Sequence, residues 1–436
     1  MTEHRDLRVA LLGSGSVGAQ VARLLLEEQD ELAARVGARL KLAGIAVRDL
    51  DAPRDVELPK ELFTTDAERL ILGADIVVEL IGGIEPARTL ILQALEQGAD
   101  VVTANKALIA THGTELFAAA QKVGAQINYE AAVAGAIPII RPLQDSLAGD
   151  RIKRVMGIVN GSTNYILDRM DRFGDSAEAA MQVASDLGYL EADPTLDVGG
   201  YDAAQKAGIL ARIAYHTEIP ADKVYREGIT EITAEQVKIA QRSNSVIKLV
   251  AIAERIQQSD GTEGVSARVY PALIGREHPL ATVHGGKNAI FVEAECAGEL
   301  MFYGAGAGGV ETASAVLGDV VSVARRHIAG GPGIGSSSHA ALPVLDLDSI
   351  HTRYQVVLTV EDRSGVLQEI TEVLTGLDVS IARMEQTPHE SGEQLADLVI
   401  ETHTALEKDL RAMVEQLRKL EVVQEVCSVL RVEHGE

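Results

Sequence analysis

Residues 9–18 read Val-Ala-Leu-Leu-Gly-Ser-Gly-Ser-Val-Gly, a short aliphatic run that ends in a glycine pattern. The residues that follow place Val17, Val21, Leu24 and Leu25 on one face of a helix. A strand, a glycine turn and a helix in this order form a dinucleotide-binding motif, in which the backbone approaches a pyrophosphate at the helix N-terminus. The motif predicts a set of cofactor-binding residues: Gly13, Gly15, Ser16, Val17 and Gly18.

Three further strand-like segments follow, with helix-like segments between them. The strand candidates are residues 40–47, 76–80 and 100–103. Such alternation with short loops is typical of a parallel sheet covered by helices on both faces. We therefore predict a Rossmann-like, doubly wound α/β dinucleotide-binding domain over residues 1–135.

The rest of the chain predicts two more domains and a linker. Residues 136–329 mix strand candidates (151–160 and 290–296) with helix candidates (177–187 and 202–215), which indicates an α+β catalytic and dimerisation domain. Residues 330–338 read Gly-Gly-Pro-Gly-Ile-Gly-Ser-Ser-Ser and open a linker over 330–350. Residues 351–436 alternate as βαββαβ, the order of a ferredoxin-like domain.

Composition argues against several classes of protein. The net charge of −24 opposes nucleic-acid binding, which needs basic patches. Apolar runs stay below the roughly 18 residues that span a bilayer, and the polar N-terminus does not resemble a signal peptide. Cys296 and Cys427 lie far apart without metal-ligand spacing, which favours reduced, buried side chains. We expect a cytoplasmic protein without nucleic-acid or membrane partners.

The end of the second strand bears on the choice of cofactor. An acidic residue there would bond the ribose 2′-hydroxyl of NAD, but this strand ends Val47-Arg48-Asp49. Arg48 could pair with the 2′-phosphate of NADP, helped by Arg54, or it could be a solvated surface arginine. We therefore expect NADP to be preferred, with NAD use left open.

Six motifs further along the chain carry the chemistry. They are residues 103–106 (Thr-Ala-Asn-Lys), 130–138 (Glu-Ala-Ala-Val-Ala-Gly-Ala-Ile-Pro), 160–167 (Asn-Gly-Ser-Thr-Asn-Tyr-Ile-Leu), 188–194 (Gly-Tyr-Leu-Glu-Ala-Asp-Pro), 197–206 (Asp-Val-Gly-Gly-Tyr-Asp-Ala-Ala-Gln-Lys) and 303–308 (Tyr-Gly-Ala-Gly-Ala-Gly). In this order they resemble the homoserine dehydrogenase family over residues 9–325, and the block from Glu191 to Lys206 is the most specific. Two positions depart from the family pattern, since Glu311 stands where proline is common and Ala136 where glycine is frequent.

The resemblance implies a reaction and a proton carrier. The reaction is the reversible, NAD(P)H-dependent reduction of L-aspartate 4-semialdehyde to L-homoserine, in threonine, methionine and isoleucine biosynthesis. No histidine lies in the motifs, so lysine is the natural proton carrier, provided its ordinary pKa of about 10.4 is lowered. By resemblance Lys206 donates the proton and Lys106 lies beside nicotinamide and substrate. Asp202 and Lys206 are four residues apart; spacing alone favours a surface ion pair, and the surrounding block favours the catalytic role instead.

The substrate is an amino acid, and its ammonium group needs carboxylates. The family positions that grip it correspond to Glu191, Asp197 and Asp202, although a solvated acidic loop would look similar. We expect Thr163 and the backbone at Gly161 to orient the substrate. Two glycines of the last motif are expected to contact the cofactor, namely Gly304 and Gly306.

The Gly/Ala-rich segment 130–138 allows backbone carbonyls to point inward. The resemblance implies that such carbonyls hold a monovalent cation, usually sodium, at Glu130, Val133, Gly135 and Ile137. A plain connection between domains is the alternative reading of the same residues.

Residues 361–367, Glu-Asp-Arg-Ser-Gly-Val-Leu, join the first strand and helix of the C-terminal domain. They resemble the ACT-domain signature, which binds a small amino acid through an acid and helix-start amides. The implied effector residues are Asp362, Gly365, Val366 and Leu367. We expect threonine as a feedback inhibitor and a homodimer or homotetramer; a purely dimerising module is the alternative.

Two other functions remain in play. One is a different Rossmann-type amino-acid or hydroxy-acid dehydrogenase, which would have no reason to carry the block from Glu191 to Lys206. The other is a non-catalytic amino-acid sensor, which predicts loss of one of four residues, all of which are present: Lys106, Glu191, Asp202 and Lys206. The residues therefore favour the enzyme.

Overall fold

The computed structural model describes residues 6–190, 193–258, 260–330, 338–389 and 394–433. The chain divides into two compact units, each assembled from three segments. The first unit holds Met1–Gly161, Gln205–Asp222 and Lys287–Ala341, and the second holds Ser162–Ala204, Lys223–Gly286 and Leu342–Glu436. Each unit thus combines segments that are distant in sequence.

The N-terminal part of the first unit is a six-stranded parallel sheet with helices between its strands. The strands are β1 (Leu7–Leu12), β2 (Leu40–Ala46), β3 (Phe63–Thr64), β4 (Ile76–Glu79), β5 (Asp100–Thr103) and β6 (Ile127–Asn128). The helices are α1 (Ser16–Glu27), α2 (Gln29–Val36), α3 (Ala67–Ile71), α4 (Ala87–Glu96) and α5 (Lys106–Val123). The strand order is β3-β2-β1-β4-β5-β6. The chain therefore adds strands on one side of β1 first and then, from β4 onward, on its other side. Ligands of such sheets bind at the carboxyl ends of the strands at this point.

The middle of the chain adds elements to both units. Its strands are β7 (Ile152–Ile158), β8 (Tyr225–Arg226), β9 (Ser245–Gln257), β10 (Glu263–Gly275), β11 (Lys287–Ala294) and β12 (Gly298–Ala305). Its helices are α6 (Gly161–Phe173), α7 (Ala177–Asp186), α8 (Thr195–Val198), α9 (Tyr201–Tyr215), α10 (Ala234–Arg242) and α11 (Gly309–Ala329). In the first unit β12, β11 and β7 are antiparallel neighbours, and in the second β9 and β10 form a long hairpin.

The C-terminal part has the predicted ferredoxin-like order. Its strands are β13 (His351–Thr352), β14 (Tyr354–Glu361), β15 (Ile381–Pro388), β16 (Leu395–Thr402), β17 (Ala405–Leu406) and β18 (Val423–Val432), and its helices are α12 (Val366–Gly376) and α13 (Glu407–Leu417). The four long strands pair in the order β18-β14-β16-β15, all antiparallel. At its other edge β18 pairs in parallel with β10, with Arg431 opposite Ala272.

Aliphatic side chains fill both cores, as the scarcity of aromatic residues predicts. In the N-terminal sheet Val9 and Val78 are buried against Val21 of α1 and Val316 of α11. Strands buried on both faces read as aliphatic runs without alternation, and β1 has this pattern because helices cover both sides. The predicted α/β fold with a ferredoxin-like C-terminal domain is confirmed.

The structure also differs from the sequence-based expectations. The hairpin of β9 and β10 was not predicted, because its strands are buried almost throughout and lack the alternating pattern. Cys296 is exposed and Cys427 is half-buried, so the expectation of buried cysteines was wrong; both are free thiols. Of the predicted linker over 330–350, residues 331–337 lie outside the described residues, and Leu347–Ser349 form a short 3-10 helix. Among the described helices, none has the length and hydropathy to cross a bilayer.

Candidate active site

The glycine turn has the shape that a bound pyrophosphate needs. Gly13 has a φ of 100°, and a Cβ on it would lie 2.7 Å from the carbonyl oxygen of Leu80. A Cβ on Gly18 would lie 2.2 Å from the Gly13 carbonyl oxygen, whereas a Cβ on Gly15 would meet no atom within 4 Å. Packing therefore requires the outer glycines, and the middle one leaves room for a ligand at the N-terminus of α1.

A cavity of about 370 Å³ opens beside this turn. Its lining comes from the turn and α1, from the loop after β2 and from the start of α11: Ser14, Gly15, Ser16, Ala19, Gln20, Pro53, Arg54, Asp55, Val56, Gly309, Val310 and Glu311. The Arg54 guanidinium donates to three backbone carbonyls of residues 49–52 at 2.8–3.0 Å and lies over the ring of Phe63. The positive charge of Arg54 is therefore fixed in position at the wall of the cavity. Arg48 is exposed just after β2.

A buried carboxylate joins the carboxyl ends of β4 and β5. Glu79, the last residue of β4, accepts from the backbone amides of Ile81 at 2.7 Å and Gly82 at 3.2 Å. Its second oxygen accepts from the hydroxyl of Thr103 at 2.6 Å. Glu79 and Thr103 are fully buried, so this network is shielded from water and fixes both strand ends.

The same network leads directly to Lys106. The Thr103 hydroxyl accepts from the amide of Asn105 at 3.0 Å, and the Asn105 side chain caps α5 by accepting from the amide of Leu108. The Asn105 amide group also donates to the carbonyl of Gly83 at 2.6 Å. Lys106 is the first residue of α5 and half-buried, so its backbone position is set by this cap.

Lys206 lies on α9, which contacts α5. The guanidinium of Arg212 on α9 lies over the ring of Phe117 on α5, with 4.8 Å between the guanidinium carbon and the ring centre. Lys206 is buried, and its amine donates to the carbonyl of Val159 at 2.6 Å, just after β7. The two helices that carry the predicted catalytic lysines are therefore neighbours in the first unit.

The predicted cation segment lies against the glycine-rich end of β12. Ala134 and Gly135 both have positive φ, and a Cβ on Gly135 would lie 2.5 Å from the Gly306 carbonyl oxygen. The Ala136 amide donates to the carbonyl of Ala305 at 3.1 Å, and a Cβ on Gly304 would lie 3.2 Å from the side chain of Ile137. The structure thus places residues predicted to bind the cation, Gly135 and Ile137, beside residues predicted to contact the cofactor: Gly304 and Gly306.

The side chain of Glu130 points away from that turn. Its carboxylate accepts from the amides of Ile139, Ile140 and Arg141 at 2.6–3.0 Å and from the Arg141 guanidinium at 2.9 Å. The Glu130 amide donates to Asp319 at 2.7 Å. Burial, together with the neighbouring Glu130 carboxylate, raises the pKa of Asp319 to about 7.

The second unit holds most of the predicted substrate-binding residues. Asp197 lies in α8, and Asp202 is buried in the first turn of α9. Thr163 is buried in the first turn of α6, which begins at Gly161. The prediction for Glu191 falls outside the described residues.

Models of protein families match three segments of the chain. The NAD-binding domain of homoserine dehydrogenase matches residues 13–130, the homoserine dehydrogenase domain matches residues 138–321 and the ACT domain matches residues 354–422. The homoserine dehydrogenase of Corynebacterium glutamicum is 51% identical over 98% of this chain and 95% of that protein. The chain belongs to the homoserine dehydrogenase family. The resemblance that the sequence motifs indicated is thereby confirmed.

Three further homoserine dehydrogenases are similar to this chain in sequence or in structure. The Mycobacterium tuberculosis protein is also 51% identical, over 99% of this chain and 98% of its own length. A crystal structure of a homoserine dehydrogenase from Thiobacillus denitrificans matches with a TM-score of 0.89 and 37% identity over 99% of each chain. A hyperthermophilic archaeal homoserine dehydrogenase in complex with NADPH matches 73% of this chain and 97% of its own, with a TM-score of 0.60 and 29% identity.

The ACT domain places its signature at the start of α12. Gly365 has a φ of 98° and precedes Val366, the first helical residue. Asp362 accepts from the side-chain amide of Gln386 at 3.3 Å. Val366 is buried in the domain core, so only its backbone can face a ligand, whereas Leu367 is partly exposed.

Several buried charged residues were not singled out from the sequence, and two of them illustrate the reason. One is Glu79, and its signal was an acid closing an otherwise aliphatic strand just before two glycines. The other is Lys248 in β9, whose amine donates to the Asn164 side chain at 3.0 Å and the Val283 carbonyl at 2.7 Å. Burial lowers the pKa of Lys248 to about 8. The signal for Lys248 was a single lysine within the aliphatic run of residues 246–253.

Proposed function

We propose that this chain, a homoserine dehydrogenase by family, catalyses the reversible reduction of L-aspartate 4-semialdehyde to L-homoserine. The observation that carries the proposal is the buried amine of Lys206 on α9, one helical turn after the buried Asp202. Absorbance at the nicotinamide band with L-homoserine and each cofactor tests it. Turnover with L-homoserine supports the proposal, and no turnover with either cofactor contradicts it.

Lys206 acts as the proton carrier in this proposal. When bound, the nicotinamide cofactor supplies or accepts the hydride. Lys206 gives its proton to the aldehyde oxygen during reduction and takes it back during oxidation. The hydrogen bond to the Val159 carbonyl holds the amine in one place, which saves the entropy of ordering a long side chain at the moment of reaction.

The carboxylates of Glu191, Asp197 and Asp202 bind the substrate ammonium group in this proposal. Thr163 and the backbone at Gly161 orient the rest of the molecule. Position supports a specific role for Asp202, because it is buried in the first turn of α9, one helical turn before Lys206. Replacement of Asp202 by asparagine is expected to raise the KM for L-homoserine more than that for the cofactor.

The cofactor site is proposed to favour NADP over NAD. Its residues fit a dinucleotide: the N-terminus of α1 has no acidic residue in its first turn, and Arg54 lines the cavity beside it. Arg48 and Arg54 would bind the 2′-phosphate, and Lys106, Gly304 and Gly306 would contact the nicotinamide half. The proposal predicts a lower KM for NADP than for NAD, and the reverse ratio would contradict it.

The carbonyl oxygens of Glu130, Val133, Gly135 and Ile137 are proposed to bind a monovalent cation, with sodium as the first candidate. Two consecutive residues with positive φ turn the backbone here. Within the described parts of the chain, no backbone amide donates to the carbonyl of Val133 or Gly135. The Glu130 carboxylate is already engaged by amides and Arg141, which leaves neutral oxygens and fits a singly charged hard cation. The test is whether sodium or potassium raises thermal stability at constant ionic strength.

We further propose that the ACT domain binds threonine through Asp362 and the amides at Gly365, Val366 and Leu367, and inhibits the enzyme. This places the chain in threonine, methionine and isoleucine biosynthesis in the cytoplasm, as a homodimer or homotetramer. We also propose that the dinucleotide-binding domain ends at residue 135, that the catalytic domain ends at residue 329 and that the ACT domain begins at residue 351. Calorimetric titration of the full chain with threonine, isoleucine and methionine tests the effector, and no heat from any of them would contradict it.

A further inference from the structure

The last strand of the ACT domain carries a buried arginine that faces two acids. Arg431 of β18 is 6% exposed, and its guanidinium contacts Glu407 at 2.5 and 3.1 Å. On its other side one nitrogen reaches both carboxylate oxygens of Glu227 at 2.9 Å. Since Glu407 lies in the ACT domain and Glu227 in the catalytic part of the second unit, Arg431 joins the two.

Aromatic rings and hydroxyl groups fix this arginine in place. Its guanidinium carbon lies 4.4 Å from the ring centre of Tyr270 and 5.6 Å from those of Tyr225 and Tyr354. Tyr354 donates to Glu407 at 2.8 Å, and Tyr225 donates to Glu227. The carboxylates on both sides of Arg431 are therefore held by further donors, and its guanidinium has one preferred position.

The segment that contains Glu227 is hydrogen-bonded to the proposed substrate loop. The Ile229 amide donates to the carbonyl of Val198 at 2.8 Å, and the Arg226 guanidinium donates to the carbonyl of Gly199 at 2.7 Å. Arg226 also lies over the ring of Tyr201, 3.4 Å from its centre. Residues 226–229 thus bond to the backbone between Asp197 and Asp202.

Two glycines show how close the contact is. A Cβ on Gly228 would lie 2.2 Å from the Val198 carbonyl oxygen and 2.7 Å from the Cα of Gly199. A Cβ on Gly200 would lie 3.0 Å from the Glu227 carbonyl oxygen. With backbone on both sides of the contact, a displacement of residues 226–228 must displace residues 198–200 as well.

We propose that Arg431 and Glu227 are positioning residues for the substrate loop at residues 197–202, so that the ACT domain forms part of the support for substrate binding. The proposal rests on the proposed function, because it takes Asp197 and Asp202 as substrate ligands. Arg431 holds Glu227, Glu227 holds residues 226–229, and these hold the loop that presents the two acids. The cofactor turn lies in the other unit.

The test uses the full-length enzyme with Glu227→Gln, Arg431→Lys and the double variant. Glu227→Gln keeps the shape but loses the charge, and Arg431→Lys keeps the charge facing Glu407 but cannot reach both acids. Each single variant should raise the KM for L-homoserine roughly tenfold, with the KM for NADP changed less than twofold. The double variant should be little worse than either single one, because both remove the same contact.

A control breaks another arginine–glutamate ion pair in the second unit. Arg255 and Glu263 pair across the β9–β10 hairpin, with both side chains 27% exposed, compared with 7% for Arg431 and 39% for Glu227. Glu263→Gln should leave both KM values unchanged. Hydrogen exchange of peptides covering residues 194–204 gives a second readout without substrate, and it should be faster in Glu227→Gln and Arg431→Lys than in wild type or control.

The outcomes separate the two proposals. Unchanged homoserine KM and unchanged exchange in both folded variants would overturn the positioning role. A parallel rise of the homoserine and NADP KM values, or an equal effect of Glu263→Gln, would show general loosening and would also overturn it. If wild type does not oxidise L-homoserine, the proposed function fails, whereas the exchange measurement still reports on the contact itself.

Discussion

Glu79 offers the sharpest stability test, because its three hydrogen bonds can be removed in steps. Glu79→Ala leaves the amides of Ile81 and Gly82 and the hydroxyl of Thr103 without their buried acceptor. Leaving a buried neutral donor without its acceptor costs about 1–3 kcal/mol, and the cavity left by the side chain adds to this. Glu79→Gln keeps an oxygen for both amides and forces only Thr103 to reorient, for about 1 kcal/mol.

Urea denaturation followed by circular dichroism measures both variants, and NADPH titration measures the cofactor site. The order should be wild type, then Glu79→Gln, then Glu79→Ala, with NADPH affinity falling in the same order because the network sets the cap at Lys106. Glu85→Gln is a suitable control, since Glu85 is an exposed acid beside the same sheet edge. Equal stability of Glu79→Ala and wild type would refute the reasoning, as would a Glu79→Gln variant as unstable as Glu79→Ala.

Three further predictions follow from the same unit. Gly18→Ala should lower the melting temperature, because its Cβ would lie 2.2 Å from the Gly13 carbonyl oxygen. Gly15→Ala should melt like wild type but bind NADPH less tightly, because its Cβ would occupy the space left for the ligand. The reverse pattern would contradict the proposed role of the turn. Asp319 holds its proton more tightly when folded, so it stabilises the fold below pH 3.8 and loses that contribution as the pH rises to about 7. Asp319→Asn should therefore flatten the fall in unfolding free energy over this range, and an unchanged slope in urea titrations would contradict the assignment. Arg54→Ala should raise the KM for NADP, and a normal KM would remove Arg54 from the cofactor site.

The fold could be predicted well where local pattern and packing agree. Residues 9–18 predict a strand, a turn and a helix, and the structure has them because helices cover both faces of β1. The ferredoxin-like domain could be predicted as well, since its helices are amphipathic. The hairpin of β9 and β10 was not, because a strand buried on both faces loses the alternation that marks it.

The sequence motifs propose the site residues one by one, but they do not show the contacts that hold those residues in place. Lys106, Lys206 and the glycines stand in recognisable motifs. Arg431 has partners distant in sequence, and Glu79 combines two nearby amides with Thr103, 24 residues away. Arg431 and Glu227 are 204 positions apart in sequence, and the parallel pairing of β18 with β10 places that arginine beside the catalytic part of the unit. Such contacts depend on strand order, which local sequence does not encode.

The central claim is that the Lys206 amine carries the proton in homoserine oxidation. The most direct measurement compares the initial rate of L-homoserine oxidation by wild type and Lys206→Ala at saturating NADP, with NADPH binding measured on both. The account predicts turnover in wild type, none above background in Lys206→Ala, and NADPH affinity within a few-fold of wild type. A Lys206→Ala variant that oxidises L-homoserine at a rate near wild type would contradict it.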